Sequence, residues 1–274
     1  MPRHTSAVLD QIDERMIDLC GAGPVGAGAQ YHLSTGGSRV RARLGLEAAG
    51  ALALAPGAAE ACAVGPELLH NASLVHDDLQ DHDATRRGHP AVWRRFGPAA
   101  AVCVGDVMIS AAFAAMASHP DPARAIGLMH AAIARTANGQ ARDLRKPCLD
   151  LDAYRALVAE KTGTLIALPV RLALAAANAP GDSLALEVGD TLAFAYQAID
   201  DIRDRDADRA SGRVNLCTRL GTGDKGVSLA RSAARDALHA ARHRAAGLPG
   251  QTGASFCNLA DRMDSKLTEH ANAA

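Results

Sequence analysis

Apolar residues recur at intervals of three and four in alanine-rich segments over residues 38–64, 67–81, 97–118, 123–144, 151–178 and 183–204. That period marks one face of an α-helix, and alanine loses no side-chain entropy when held in one. Each segment is therefore expected to be helical. Strands call for alternating β-branched or aromatic residues; no such run occurs, and no Asn-Gly or Asp-Gly pair joins two of them. The expected fold class is all-α. Glycine and proline punctuate the chain at 21–28, 56–57, 65–66, 97–98, 119–122, 179–181 and 247–253, which predicts breaks between helices there. None of these stretches is long enough to be a flexible linker, so residues 1–274 are read as a single domain.

With 48% apolar and 22% charged residues, the chain can bury a full core and is not globally disordered. A net charge of −1 excludes a nucleic-acid-binding polycation. The six cysteines stand about forty or more residues apart, with no C-x-x-C pair, so neither a disulfide framework nor a zinc site is suggested. The amino terminus reaches Asp10, Asp13 and Glu14 without an apolar core, so a secretory signal is not expected and the location inferred is cytoplasmic. The most apolar stretch, Pro98–Ser118, carries Asp106 near its middle. A spanning helix would hold that charge in lipid, so stable membrane insertion is not expected.

One short pattern occurs twice: Asp77-Asp78-Leu79-Gln80-Asp81 and Asp200-Asp201-Ile202-Arg203-Asp204. Each copy closes an apolar helical run. On a helix the first and last aspartates lie one turn apart on one face, so Asp77 with Asp81, and Asp200 with Asp204, share a target. Like charges so close repel, and carboxylates without His or Cys companions suit a hard divalent cation, Mg²⁺ above all. The alternative is a pair of solvated acidic helix ends. The apolar residues just ahead, Leu74 and Val75 in one copy and Leu192 and Ile199 in the other, favour core helices that turn acidic abruptly. Arg86 and Arg87 follow the first copy, and Arg39, Arg41 and Arg43 precede it, next to Gly36-Gly37. Arginine forks suit phosphate oxygens, and glycine lets backbone amides approach an anion. Together these residues describe two diphosphate sites, one gripped through metal and aspartates, the other by arginines.

From Gly36 to Leu220 the chain resembles the trans-isoprenyl diphosphate synthases, or polyprenyl synthetases. The resemblance is carried by Glu67 through Asp81 with Arg86-Arg87-Gly88, by Gly105-Asp106, Gly139-Gln140 with Asp143, Lys161-Thr162, and Tyr196 through Asp201. It implies an isoprenoid-synthase-type helical bundle around a deep central cavity, usually a homodimer, with three Mg²⁺ ions between two aspartate motifs. It further implies head-to-tail condensation of isopentenyl diphosphate with an allylic diphosphate. Asp77, Asp78, Asp81, Asp200, Asp201 and Asp204 would be the metal ligands, with Lys161 and Arg86 offsetting charge on the leaving diphosphate. Thr162 and Gln197 would join them at the substrate, and Arg39, His70 and Arg87 would hold isopentenyl diphosphate. For His76, packing beside the aspartates weighs as much as a direct role.

The chain departs from the family pattern in several places. Ser38 stands where the family usually has lysine, Arg213 follows Gly212 where lysine is preferred, Asn215 lies near a usual aspartate, and the region beyond Asp204 matches poorly. Three other functions share parts of the pattern: a class I terpene cyclase, a prenyltransferase using another acceptor, and a non-catalytic subunit of a heteromeric synthase. Four Phe, three Tyr and one Trp are few for a cyclase cavity. Product length is read from the helix ahead of Asp77, where Ala72 and Ser73 are small and Leu69 or Phe113 would form the floor. A twenty-carbon product is expected, with fifteen as the alternative, and Ala72→Phe is expected to shorten it.

Overall fold

The computed structural model describes residues 3–145, 150–211 and 215–272. The chain divides into two compact units, Met1–Ile133 with Leu168–Ala179, and Ala134–Ala167 with Pro180–Ala274. Fourteen α-helices occur among the described residues. They are α1 (Arg3–Cys20), α2 (Gly23–Ser34), α3 (Val40–Ala51), α4 (Pro56–Gln80), α5 (Val92–Phe96), α6 (Pro98–Ala114), α7 (Pro122–Asp143), α8 (Leu151–Val158), α9 (Thr164–Ala176), α10 (Asp182–Arg203), α11 (Arg205–Ser211), α12 (Leu216–Leu220), α13 (Gly223–Ala245) and α14 (Gly253–Asn272). Among the described residues the β-structure is one antiparallel pair, β1 (Thr85–Arg86) and β2 (His89–Pro90), in which Thr85 pairs with Pro90 and Arg86 with His89. The expected all-α class is what the structure shows.

In the first unit α4 is the central element, packed on α3, α6 and α1. Pro56 and Pro98 open α4 and α6, where a missing N–H costs nothing. The break expected at 21–28 falls at residues 21–22, between α1 and α2, whereas the one expected at 65–66 is absent. Pro66 lies inside α4. It cannot donate to the Cys62 carbonyl one turn back, and α3 comes closest at that same carbonyl: a Cβ on Gly45 would lie 2.2 Å from it. Likewise Gly26 and Gly28 sit within α2, where added Cβ atoms would strike the Gly21 carbonyl and Val104. These glycines permit close packing and do not end a helix.

In the second unit α10 is central, packed on α13, α14, α12 and α8. The segment expected as one helix over 151–178 is α8 and α9 joined by a π-turn, Ala159–Gly163. A π-turn inserts one extra residue and redirects the side chains around it, and such turns concentrate at functional sites. It carries Lys161 and Thr162. Gly139, Gly163 and Gly189 let backbones meet here: a Cβ on Gly139 would lie 2.7 Å from the Lys161 nitrogen, and one on Gly189 2.9 Å from the Gly163 carbonyl.

These contacts distinguish two glycines of one helix. Gly45→Ala should destabilise the protein by about 1–3 kcal/mol through overpacking. Gly50→Ala, with open space around it, should stabilise by about 0.5–1 kcal/mol through helix propensity. Urea unfolding of the two variants checks both signs.

Candidate active site

The first aspartate motif occupies the last turn of α4. Asp81 is the residue after the helix, and its N–H donates to the Asp77 carbonyl at 2.8 Å. Asp77 is half-buried and Asp81 exposed. Asp78, about 100° further round, turns inward and is 1% exposed. Arg86 holds it, Nε donating to Oδ1 at 2.8 Å with Nη2 on the same oxygen. Burial raises the Asp78 pKa, and the Arg86 hydrogen bond and charge only partly oppose this. The hairpin supplies Arg86: Arg87 and Gly88 both have positive φ, as tight two-residue hairpin turns require.

The second motif repeats the arrangement with different anchors. The Asp204 N–H donates to the Asp200 carbonyl at 2.8 Å. Asp201 is 2% exposed, and its carboxylate accepts from the Tyr154 hydroxyl at 2.8 Å, Gln197 Nε2 at 2.8 Å and the Leu216 N–H at 2.6 Å. Asn215 Nδ2 donates to the Asp201 backbone carbonyl at 2.7 Å, and the Asn215 side chain also caps α12. Asp200 is pushed up to about 6, by desolvation first and by Asp204 and Asp201 next, with Arg203 and Lys266 pulling the other way. Arg203 spans both outer carboxylates, with Nε and Nη2 on Asp204 at 2.9 and 2.7 Å and Nη1 on Asp200 at 3.1 Å.

The expected ligand set therefore divides. Asp77, Asp81, Asp200 and Asp204 stand on the outward sides of their helix ends, while Asp78 and Asp201 point into the protein because consecutive helical residues diverge. Arg86 and Gln197, expected at the substrate, hold those two inward carboxylates. Among the described residues no three His, Cys, Asp or Glu side chains converge on one point. One or two carboxylates completed by substrate oxygens is how Mg²⁺ is commonly held, so the all-oxygen donors fit that ion.

On the π-turn, Lys161 Nζ lies 2.6 Å from Asp143 Oδ2 of α7, and Thr162 is half-buried. In the first unit Arg39 begins α3 in a left-handed conformation, 5% exposed. Its guanidinium donates to Asp13 at 2.6 and 3.2 Å, to the Leu33 carbonyl at 2.7 Å and to the Gly36 carbonyl at 3.0 Å. Arg39 is thus a buried scaffold cation and not the open anion contact expected. Arg87 Nη1 donates to the same Gly36 carbonyl. A Cβ on Gly37, where φ is +133°, would lie 2.9 Å from the Arg87 guanidinium carbon and 3.1 Å from Arg39 Nη1. The glycine pair and these two arginines come together as expected.

Burial, reinforced by the charge of that cluster, keeps its histidines neutral. His70 lies well below the usual imidazole range through desolvation first, then Arg41 and Arg87. His32, 2% exposed and 3.1 Å from Asn71 Oδ1, is pushed down to about 3 by burial and then by Arg87. Asn71 in turn donates to the Glu67 carbonyl, and Glu67 accepts from the Arg41 and Ala42 N–H groups at the start of α3. His76 fits against Gly105, where a Cβ would lie 1.9 Å from its Nε2, which matches the packing reading.

Of the product-length residues, Ser73 and Phe113 are half-buried, whereas Ala72 and Leu69 are 1% and 3% exposed. On a regular helix Ser73 lies about 40° from Asp77 and Ala72 about 140°. Ser38 offers its carbonyl to Arg43 Nε at 3.1 Å, and Arg213 lies outside the described residues.

The all-α fold thus presents an outward carboxylate pair at one helix end in each unit and a glycine-backed arginine cluster in the first unit. Residues 25–224 match the family model for polyprenyl synthetases, and the chain belongs to that family. It is 34% identical over 192 residues to a short chain isoprenyl diphosphate synthase from Methanothermobacter thermautotrophicus, covering 67% of this chain and 59% of that protein. The match thus spans less than two thirds of that relative's length. A probable farnesyl diphosphate synthase from Bradyrhizobium diazoefficiens is 33% identical over 272 residues, covering 89% of this chain and 80% of that one. The polyprenyl synthase of Caulobacter crescentus, solved with calcium and isoprenyl diphosphate, superposes with a TM-score of 0.83 at 21% identity, covering 95% of each chain. That likeness establishes the isoprenoid synthase fold.

Reasoning from sequence missed Asp13, His32, Tyr154 and the bridging role of Arg203. Asp13 lies 26 residues from Arg39, and no local pattern links them. Tyr154, one of three tyrosines, looks like a core residue until its hydroxyl is placed.

The depressed His32 pKa has a signed consequence. Below pH 6.5 the unfolded imidazole takes a proton that the folded one refuses until about pH 3, so stability falls as pH drops through that window. Between pH 6.5 and 5 this amounts to about 2 kcal/mol. Urea unfolding at both pH values should show that loss in wild type and a smaller one in His32→Gln.

Proposed function

We propose that this protein is a Mg²⁺-dependent trans-prenyltransferase that condenses isopentenyl diphosphate with an allylic diphosphate to an all-trans C15–C20 prenyl diphosphate, C20 being favoured. The carrying observation is the division of labour in each aspartate motif, in which an inward carboxylate fixes the helix end while two outward ones stand a turn apart. Enzymes of this family are Mg²⁺-dependent in general and use these two substrate types. The reading adopts three ions, one homodimeric catalytic domain spanning residues 1–274, and a cytoplasmic setting. Exposed Val102 and Ile126 offer apolar surface for a second copy, which sedimentation of the full chain decides.

Bound Mg²⁺ would neutralise the diphosphate as the allylic carbon–oxygen bond breaks. Asp77 and Asp81 would hold it in the first unit, and Asp200 and Asp204 would do so in the second. Lys161, aimed by the π-turn and ion-paired with Asp143, adds positive potential for the departing oxygens, and Thr162 offers a hydroxyl beside it. Arg86 keeps Asp78 inward and lends its charge from there. At the second diphosphate, Arg87 and the Gly36-Gly37 backbone make the contacts, His70 contributes as a neutral hydrogen-bonding group, and Arg39 raises the local potential from behind. The π-bond of isopentenyl diphosphate attacks the allylic cation, and the released diphosphate takes the proton, so no side-chain base is needed.

Two outcomes test this reading. Asp77→Ala and Asp200→Ala should each lower turnover by about 10²- to 10³-fold or more while circular dichroism shows the helices intact; near-normal activity in either variant overturns the assignment.

For product length, Ser73→Phe should shorten the product, because position 73 shares the open side of α4 with Asp77. Ala72→Phe should chiefly cost stability, about 1–3 kcal/mol, because position 72 is packed. Mass spectrometry of products from five-, ten- and fifteen-carbon primers, beside thermal melts, separates the two effects.

A further inference from the structure

The two aspartate motifs differ at their fourth position. The first reads Asp-Asp-Leu-Gln-Asp with Gln80, the second Asp-Asp-Ile-Arg-Asp with Arg203. Gln80 is uncharged and exposed. Arg203 folds back on its own helix end, two nitrogens on Asp204 at 2.9 and 2.7 Å and a third on Asp200 at 3.1 Å. Planar guanidinium and carboxylate match geometrically, so the fork on Asp204 is preorganised in a way a lysine could not copy.

We propose that Arg203 is a resident counter-ion of the second motif, occupying in the metal-free protein the two carboxylates that a divalent cation needs. The inference rests on the reading of both motifs as Mg²⁺ sites. Its chemistry is plain competition: a cation coordinating Asp200 and Asp204 must displace the guanidinium, so Arg203 weakens metal binding at the second motif until a diphosphate supplies further oxygens. The corresponding position of the first motif holds the uncharged Gln80. Lys266 of α14 also acts on Asp200 through its charge, and serves as the control for a cation whose contribution is field alone.

The test is titration of the full chain with Mn²⁺ in the absence of substrate, counting free ion by electron paramagnetic resonance, with melts in chelator to verify folding. Arg203→Gln, which converts the second motif to the pattern of the first, should tighten Mn²⁺ binding about three- to fivefold. Gln80→Arg should weaken binding at the first motif. Arg203→Lys, which keeps the charge and loses the fork, should recover most of the gain seen with Gln, and Arg203→Gln should add nothing in an Asp204→Asn background. The proposal is overturned if Arg203→Gln leaves the affinity unchanged while Asp200→Ala lowers it, or if Lys266→Met tightens binding as much as Arg203→Gln. The underlying metal reading fails separately, if Asp77→Ala and Asp200→Ala alter neither Mn²⁺ binding nor turnover.

Discussion

Carboxylates gathered at the carboxyl end of a helix stand where they are least welcome. The helix dipole places partial negative charge there, and neighbouring aspartates repel one another as well. This chain does so twice, at the ends of α4 and α10. Each end is held by giving the middle aspartate strong partners inside the protein: Arg86 for Asp78, and three donors for Asp201. Of the outer aspartates, Asp200 and Asp204 share Arg203 on the outward side of their helix end. Much of the polar structure around both ends answers this single electrostatic cost.

Backbone proximity sets where those ends go. Pro66 and Gly45 bring α3 against α4 at the Cys62 carbonyl, and Glu67, one position on, accepts from the first amides of α3. The start of α3 is where Arg39 sits, so the scaffold cation is placed by a contact on α4. In the other unit Gly139, Gly163 and Gly189 fix the π-turn from two sides, and Lys161 takes its direction from that turn. In both units small residues govern chemistry at charged ones.

Burial also sorts the basic residues by task. Arg39 is saturated by Asp13 and two carbonyls and acts through its field. Arg87 is half-buried beside the glycine pair, and the histidines between them stay neutral. In the proposed function, a diphosphate arriving there would meet positive charge without having to move a proton.

The sequence by itself determined the helical class, since the three-and-four period has no competing strand signal. It also determined that Asp77 pairs with Asp81 and Asp200 with Asp204, since residues four apart on a helix must share a side. Breaks at 56–57 and 97–98 were legible from their local glycine and proline. Tertiary structure decided whatever depends on distant partners: that Pro66 and the α2 glycines continue their helices, that Asp78 and Asp201 turn inward, and that Arg39 is a buried scaffold. It also decided that Ala72 is fully packed while Ser73 is half-buried, and that a π-turn carries Lys161. Short-range periodicity fixes which residues share a helix face, but only the packing of other elements fixes which face meets water.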